Sequence, residues 1–526
     1  MGGLHGVNDF LQASHLCATQ TVSPSSDFRL QPSKKKSNNI IFQQNIHRLC
    51  SICEVEISVL RIIQPKERLP IMKVKTLKRS AGASVERECI GDLRRTSRNV
   101  NPNFHPMQRA REYTRAVTAA KIDRMFAHPL IGNLGNGHRD AVTCTAVSRK
   151  SLLPLVSGAA DGTVQLWDLA TRSSVAEIAA HKRTVTGVIF DRYGQNFYSC
   201  SEDGMVQRWT LHANDTNDEG KSVHTPVQSF RCSGSFKSMD HSWKDDLFAT
   251  ASDEAVQIWS AERSTALQTH KHLWGSDDTV TCCRWHPVES HLLANCSADR
   301  GIGLHDTRTA KALKKTVLRM RSNDLQWNPM EPMNFCVANE DYKAYLFDMR
   351  KLDLPLKMYD GHVSAVMSLS WSPTGREFVT GSYDRTIRIF PMSDGKAREI
   401  YHTKRMQRVF CVNYTSDAKF IVSGSDDSNL RLWKARASEK LGQLTTREEA
   451  AQRYRSTLIK RHQHMPEVHK VYKSRKVPKT IVKQAAQARV QKESEDRKQA
   501  NRIKYDKKGI YQFESVKKKA VVKEIE

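Results

Sequence analysis

The sequence predicts an all-β fold, a seven-bladed β-propeller, with a helical or disordered N-terminal extension and a basic, mostly α-helical C-terminal extension. Three observations carry this reading. Seven times between Ser157 and Trp433 an acidic residue is followed six positions later by an aromatic ring or its stand-in: Asp161/Trp167, Asp203/Trp209, Asp253/Trp259, Asp299/His305, Asp341/Phe347, Asp384/Phe390 and Asp427/Trp433. Successive aspartates lie 42, 50, 46, 42, 43 and 43 residues apart, the period of one four-stranded blade. The segments around them, such as SGAADGTVQLWDL, SCSEDGMVQRW, TGSYDRTIRIF and SGSDDSNLRLW, alternate apolar and polar residues between Gly/Asp turns, as strands joined by hairpins do.

Upstream of three aspartates, at 22–23 residues, stand His138, His181 and His362, two of them in Gly-His pairs; His402, 25 residues before Asp427, is a looser match. The pattern resembles the WD-repeat tetrad, in which His, Ser/Thr, Asp and Trp hydrogen-bond in series within a blade. The expected sets are His138, Ser157, Asp161, Trp167; His181, Ser199, Asp203, Trp209; His362, Thr380, Asp384; and Ser423, Asp427, Trp433. A buried Asp needs such partners, since desolvation without them costs several kcal/mol. A catalytic reading of these Asp/His pairs loses to the structural one, because the arrangement recurs blade after blade. Blades three to five lack the Gly-His pair and in part the tryptophan, so their loops are places to look for partner contacts.

The net charge of +27 is unevenly spread. Residues 1–136 carry 21 Lys/Arg against 10 Asp/Glu, residues 137–435 carry 37 against 35, and residues 436–526 carry 25 against 11. A neutral disc with basic flanks points to a polyanionic partner, nucleic acid first; a solvated tail with localisation signals is the plainer alternative. The 12 cysteines are scattered, most in strand-like runs (Cys144, Cys200, Cys282, Cys296, Cys336, Cys411), and read as reduced, buried thiols. Cys50-Ser-Ile-Cys53 beside His47 is half a zinc site with nothing to complete it, so no metal and no cofactor is expected. No run approaches the roughly 18 apolar residues of a membrane span, and Gly6 stands where a myristoylation signal wants Ser/Thr.

Residues 1–71 read as a disordered or extraneous extension, with a transit peptide as the alternative, and Met72 as an authentic start. Residues 72–130 form a basic segment whose MQRAREYTRAVTAAKIDRMF predicts a helix with Tyr113, Val117 and Ala120 on one face, followed by HPLIGNL as a strand that closes the ring. The propeller spans 131–435 and the basic tail 436–526. In the tail, Thr446 to Glu449 reads as a capping box, Ala450, Tyr454 and Leu458 as a helix face, and Pro466 as its end. A basic linker, KVYKSRKVPK, follows, and Pro478 opens a second helix that can run to Gly509. The linker supplies candidate RNA or acidic-partner contacts: Tyr472 to stack, and Lys473, Arg475, Lys476 and Lys479 for phosphates. His462, His464 and His469 read as solvent-exposed.

The segments ASEKLGQLTTREEAAQRY, HQHMPEVHKVYKSRKVPK and ANRIK resemble the Sof-type C-terminal domain, which follows a propeller in the Sof-family WD-repeat proteins of the small-subunit processome. WNPMEPMNFCVANEDYKAYLFDMR, GHVSAV, SPTGREFV, YHTKRMQ, NPNFHP and REYTRAV resemble the same family, so the likeness covers Met72 to the C-terminus. The resemblance implies a nucleolar, non-enzymatic factor in a box C/D small nucleolar ribonucleoprotein assembly that matures small-subunit ribosomal RNA. Its implied partners are pre-ribosomal RNA and other processome proteins, with no membrane and no small-molecule substrate. A second resemblance concerns His305-Asp306-Thr307-Arg308 and Phe347-Asp348-Met349-Arg350. They resemble the W-D-x-R boxes of WD-repeat substrate receptors for cullin-RING ubiquitin ligases, which implies adaptor binding by Asp306, Arg308, Asp348 and Arg350. Both tryptophans are replaced.

Overall fold

The structure is a computed structural model that describes Asn99 and residues 101–525, apart from 213–214, 217–221, 272–278, 310, 508, 511–512 and 514. The readings made of residues 1–71, of Met72 and of Cys50/Cys53 fall outside the described residues. Seven four-stranded antiparallel blades form the ring; within each, strands a to d run outward from the axis. Blade 1 spans Val142 to Ala179, blade 2 Val185 to Arg231, blade 3 Phe236 to Lys271, blade 4 Val280 to Leu318, blade 5 Ser322 to Tyr359, and blade 6 Val366 to Tyr401. Blade 7 takes three strands from Val409 to Lys434 and its fourth from Leu130–Asn133, in register Leu130 with Trp433. The ring therefore closes as expected, and a blade joined from both ends of the repeat region leaves no open sheet edge at the seam.

The Asp anchors act on the b–c turns. In blades 1, 2, 4, 5 and 6 the anchor carboxylate accepts the backbone N–H two residues on, at 2.7–3.2 Å, an Asx-type turn. The residue between is left-handed: Gly162 (φ 87) and Gly204 (φ 75), but also Arg300 (φ 68), Tyr342 (φ 71), Arg385 (φ 64) and Ser428 (φ 60). A Cβ at Gly162 would stand 2.2 Å from the His181 carbonyl oxygen, which excludes any other residue there. The aromatic six positions on pairs across strands b and c. Phe197 stacks with Trp209, Phe248 with Trp259, Phe335 with Phe347 and Phe378 with Phe390, at centroid distances of 5.5–6.3 Å, each pair adding about 0.5–1.5 kcal/mol beyond its buried area. Among the described residues the cysteines are free, seven of them buried and Cys232 half-buried.

Among the described residues four α-helices flank the ring: α1 (Gln108–Met125), α2 (Thr446–His462), α3 (Pro466–Lys473) and α4 (Lys479–Tyr505). Ala116, Ala119 and Ala120 of α1 pack on Leu458 and Ile459 of α2 and Val468 of α3, with Tyr113 and Val117 at the edge. The capping box of α2 lies one residue earlier than expected, with Thr445 as cap and Glu448 as its reciprocal partner. Its packed face is Leu458 and Ile459, whereas Ala450 and Tyr454 are exposed, because α1 lies over the helix's last turns only. Pro466 opens a helix instead of ending one, as a residue without an N–H can at the first helical position. Four of the ten expected linker residues, Lys470 to Lys473, thus belong to α3. From Val482 to Tyr505, α4 is exposed on nearly every side; its 27 residues reach about 40 Å. Beyond it, Val521–Ile525 pairs antiparallel with Lys311–Leu318 and makes blade 4 five-stranded. None of the helices among the described residues is long and apolar enough to cross a membrane.

Candidate functional site

The tetrad residues come together in four graded versions. Blade 2 is complete: His181 Nδ1 meets Asp203 Oδ2 at 3.1 Å, His181 Nε2 meets Ser199 Oγ at 2.8 Å, and Trp209 Nε1 donates to the same hydroxyl at 3.0 Å. Blade 1 joins His138 Nε2, Ser157 Oγ and Trp167 Nε1 at 2.6 and 2.8 Å, but Asp161 reaches the imidazole only through Thr163. In blade 6, His362 bridges Asp384 (2.8 Å) and Thr380 (2.7 Å), and Phe390 fills the indole position. Burial pushes the Asp384 carboxyl upward, but the electrostatic pull of His362 and then the hydrogen bonds from His362 and Thr386 outweigh it and hold the group far below the usual carboxylate range. Blade 7 keeps Trp433 on Ser423 at 2.8 Å, while Asp427 is taken by Arg431. His402 is not a tetrad member. Its Nε2 faces the Lys476 carbonyl at 3.2 Å, a contact between propeller and tail.

In blade 4 His305 occupies the aromatic position, fully buried, with neither ring nitrogen hydrogen-bonded and the His270 ring edge-on at 5.4 Å. The next residues form the altered box. Arg308 folds back on Asp306 (Nε–Oδ1 3.2 Å, NH2–Oδ2 2.8 Å), and its N–H caps the same carboxylate at 2.9 Å. Arg350 repeats this on Asp348 at 3.2, 3.3 and 3.0 Å. The Asp306 carboxyl is held low first by the Arg308 side chain; at Asp348 burial pushes upward and the bonds from Arg350 outweigh it. Both arginine side chains remain about two-thirds exposed, at 66% and 68%. The Asp-x-Arg geometry thus survives without tryptophan, and the two boxes present matching guanidinium groups at the c–d turns of adjacent blades.

The five linker residues divide. Arg475 is spent internally: its Nε lies 3.0 Å from Glu399 Oε2 and 2.6 Å from the Arg398 carbonyl oxygen. Arg124 of α1 reaches the other Glu399 oxygen at 3.1 Å and lies over the Tyr472 ring at 5.3 Å. Arg475 and Tyr472 therefore hold the tail to α1 and blade 6, which corrects their reading as contacts open to RNA. Lys473, Lys476 and Lys479 are exposed. His464 and His469 are exposed as expected, but His462 is turned toward Glu112 at 3.9 Å and is mostly buried. The sequence reading missed Glu399, whose buried carboxylate serves three arginines including Arg398, and the terminal strand. Only the β-branched run VVKEI after three lysines hinted at the latter.

The comparisons with known proteins agree with this anatomy. The tail matches the Sof1-like domain over residues 435–521, and WD domain, G-beta repeat matches fall on 130–168, 172–210, 265–306, 354–390 and 398–434. Segments 211–264 and 307–353, which build most of blades 3 and 5, go unmatched, yet both blades form. The chain is 42% identical to DDB1- and CUL4-associated factor 13 of Danio rerio over 456 residues, covering 86% of this chain and 100% of the relative. It is 43% identical over 451 residues to the Homo sapiens protein of that name, covering 86% and 99%. It is also 40% identical to Protein SOF1 of Saccharomyces cerevisiae over 448 residues, covering 82% and 91%. The chain belongs to the Sof1 family of WD-repeat proteins. In this Sof1-family chain the Sof1-like domain is held to the ring by Glu399, and the strand that starts at its end pairs with blade 4.

Proposed function

We propose that this protein is a non-enzymatic scaffold of the small-subunit processome, acting in the nucleolus with a box C/D small nucleolar ribonucleoprotein to mature 18S ribosomal RNA. The observation that carries this is the union of a complete propeller with a Sof1-like tail, alike over most of its length to Protein SOF1 of yeast. The tetrads are structural bonds within blades, so no catalytic role is given to them. The exposed Lys473, Lys476 and Lys479 supply phosphate contacts, which confer affinity and salt dependence but no choice of sequence. Specificity then comes from the other processome proteins. Crosslinking in cells followed by sequencing of the bound fragments tests this reading: recovered reads cluster in pre-ribosomal RNA and fall when the three lysines are changed to Glu. Crosslinks confined to other RNAs, or sedimentation away from pre-ribosomal particles, overturn it.

A second reading, service as a substrate receptor of a cullin-RING ubiquitin ligase, is favoured by one observation. Arg308 and Arg350 stand exposed and alike on adjacent blades, in a chain closely similar to proteins called DDB1- and CUL4-associated factor 13. The two roles are compatible, since the boxes and the tail lysines occupy different parts of the fold.

A further inference from the structure

The loop that joins blades 6 and 7 carries Lys404, Arg405 and Arg408, and the b–c turn of blade 6 carries Arg385; all are exposed. The loop is pinned to the ring. Met406 is buried, and its N–H donates to Thr403 Oγ1 at 3.2 Å. His402, where the loop begins, meets the Lys476 carbonyl at 3.2 Å, so the tail linker passes the foot of this loop. Lys404 and Arg405 follow His402 directly in the loop and stand beside Lys476, with Lys473 and Lys479 one turn of chain to either side.

The charge of this region is one-sided. The sequence holds no carboxylate between Glu399 and Asp417, nor between Glu467 and Glu493. The carboxylates that the fold brings near are mostly engaged. Asp384 is buried on His362 and Thr386, Asp427 is paired with Arg431, and Glu399 serves Arg124, Arg398 and Arg475. Asp426 and, one loop away, Asp360 stay exposed, against Arg385, Lys404, Arg405, Arg408, Lys473, Lys476 and Lys479. Among the described residues none of these cations pairs with a carboxylate. The rings beside them are covered: Arg408 lies over Tyr383 at 5.4 Å with Phe410 edge-on at 5.9 Å, and Arg124 lies over Tyr472. Unpaired bases would find no open ring to stack on, whereas an RNA helix presents phosphates and keeps its bases stacked inside.

We propose that the blade 6–7 loop, the blade 6 b–c turn and the tail linker form one track for the phosphate backbone of helical RNA. Arg385, Lys404, Arg405 and Arg408 extend the contacts of Lys473, Lys476 and Lys479 from the tail onto the ring. The proposal rests on the RNA reading of the tail lysines and adds the ring's share of the contact. Phosphate contacts set position and orientation but not base choice, so a track shared by tail and loop fixes how the ring sits on the RNA.

The test measures anisotropy of a labelled RNA duplex of about 16 base pairs with the full-length protein across a salt series. Lys404→Gln with Arg405→Gln, at exposed loop positions, weakens binding by about tenfold and lowers the slope of log affinity against log salt by about two. Lys150→Gln with Lys244→Gln removes the same charge from exposed turns of blades 1 and 3, and shifts affinity by less than about twofold because salt screens distant charges. A loop pair that binds like the native chain, while Lys473, Lys476 and Lys479 changed to Gln lose affinity, overturns the ring's share and leaves the RNA reading of the tail standing. If neither set loses affinity, both readings fall. An equal loss in the blade 1 and 3 pair overturns the track, because binding then follows net charge alone. Tighter binding of a labelled oligouridine of the same length overturns helical RNA as the partner. Loss of a labelled polyglutamate peptide in the loop pair, with duplex affinity kept, overturns the proposal in favour of an acidic protein.

Discussion

Arg475 Nε lies 3.0 Å from Glu399 Oε2, so the tail is fastened to the outer strand of blade 6 by a largely buried ion pair. Arg124 takes the other oxygen at 3.1 Å, and one carboxylate thereby joins the helix before the ring, the ring itself and the tail after it. Removing one member of a buried pair costs about 3–5 kcal/mol, because the remaining charges stay desolvated. Glu399→Gln is therefore expected to release the helical tail, made visible by limited proteolysis between residues 435 and 480. A tail as resistant in the variant as in the native chain contradicts the clamp.

The blade 2 tetrad concentrates two hydrogen bonds on one hydroxyl. Ser199→Ala leaves His181 Nε2 and Trp209 Nε1 buried without a partner, an expected loss of about 2–4 kcal/mol at roughly 1–2 kcal/mol per orphaned group. Thr250→Val in blade 3 breaks only the bond from Trp259, and is expected to cost about half as much. Urea unfolding of the two variants checks the ratio.

Acid should weaken the fold through its buried histidines. Burial first, and then the His270 ring, push His305 down to about 4; burial pushes His138 down to about 4 against the pull of Asp161. The unfolded chain, with histidines near 6.5, binds these protons first. Stability is therefore full above about pH 6.5 and lost as pH falls toward 4, by about 2 kcal/mol per group at pH 5. His305→Phe removes one such group and satisfies the aromatic position. Denaturant unfolding at pH 7.5 and pH 5 should show a smaller drop for this variant, and an equal drop would refute the assignment.

The altered boxes make a different kind of prediction. Arg308 and Arg350 bond only to carboxylates two residues away on an exposed turn, where such pairs contribute about 0–1 kcal/mol. On the proposed ligase-receptor reading, Arg308→Ala with Arg350→Ala should leave unfolding almost unchanged and abolish capture of the ligase adaptor. Undiminished capture rules out adaptor binding through these residues.

The propeller was legible because its anchors repeat. Asp161 and its six counterparts announce a turn and a buried ring at fixed spacing, and, the closing strand of blade 7 and the extra strand of blade 4 apart, each blade is built from contacts inside a stretch of about 40 residues. Helix α1 and the closing strand Leu130–Asn133 were legible for the same local reason, periodicity and length. Legibility ended where distant segments meet. Arg475 reads as one more basic residue in a basic stretch, and only the fold shows that Glu399 consumes it. Pro466 and the α2 cap, expected at Thr446 and found at Thr445, were misplaced by local rules because capping and helix starts depend on which turn finds a packing partner.

By itself the sequence determined the number of blades, the order of the strands, the seam that closes the ring and the uneven division of charge. All of these are set by patterns of a few neighbouring residues and by composition. The tertiary structure alone decided which cations remain free. Burial pairs Arg124 and Arg475 with Glu399, since a desolvated charge must find its opposite, while Lys473, Lys476 and Lys479 stay in water, able to meet a partner.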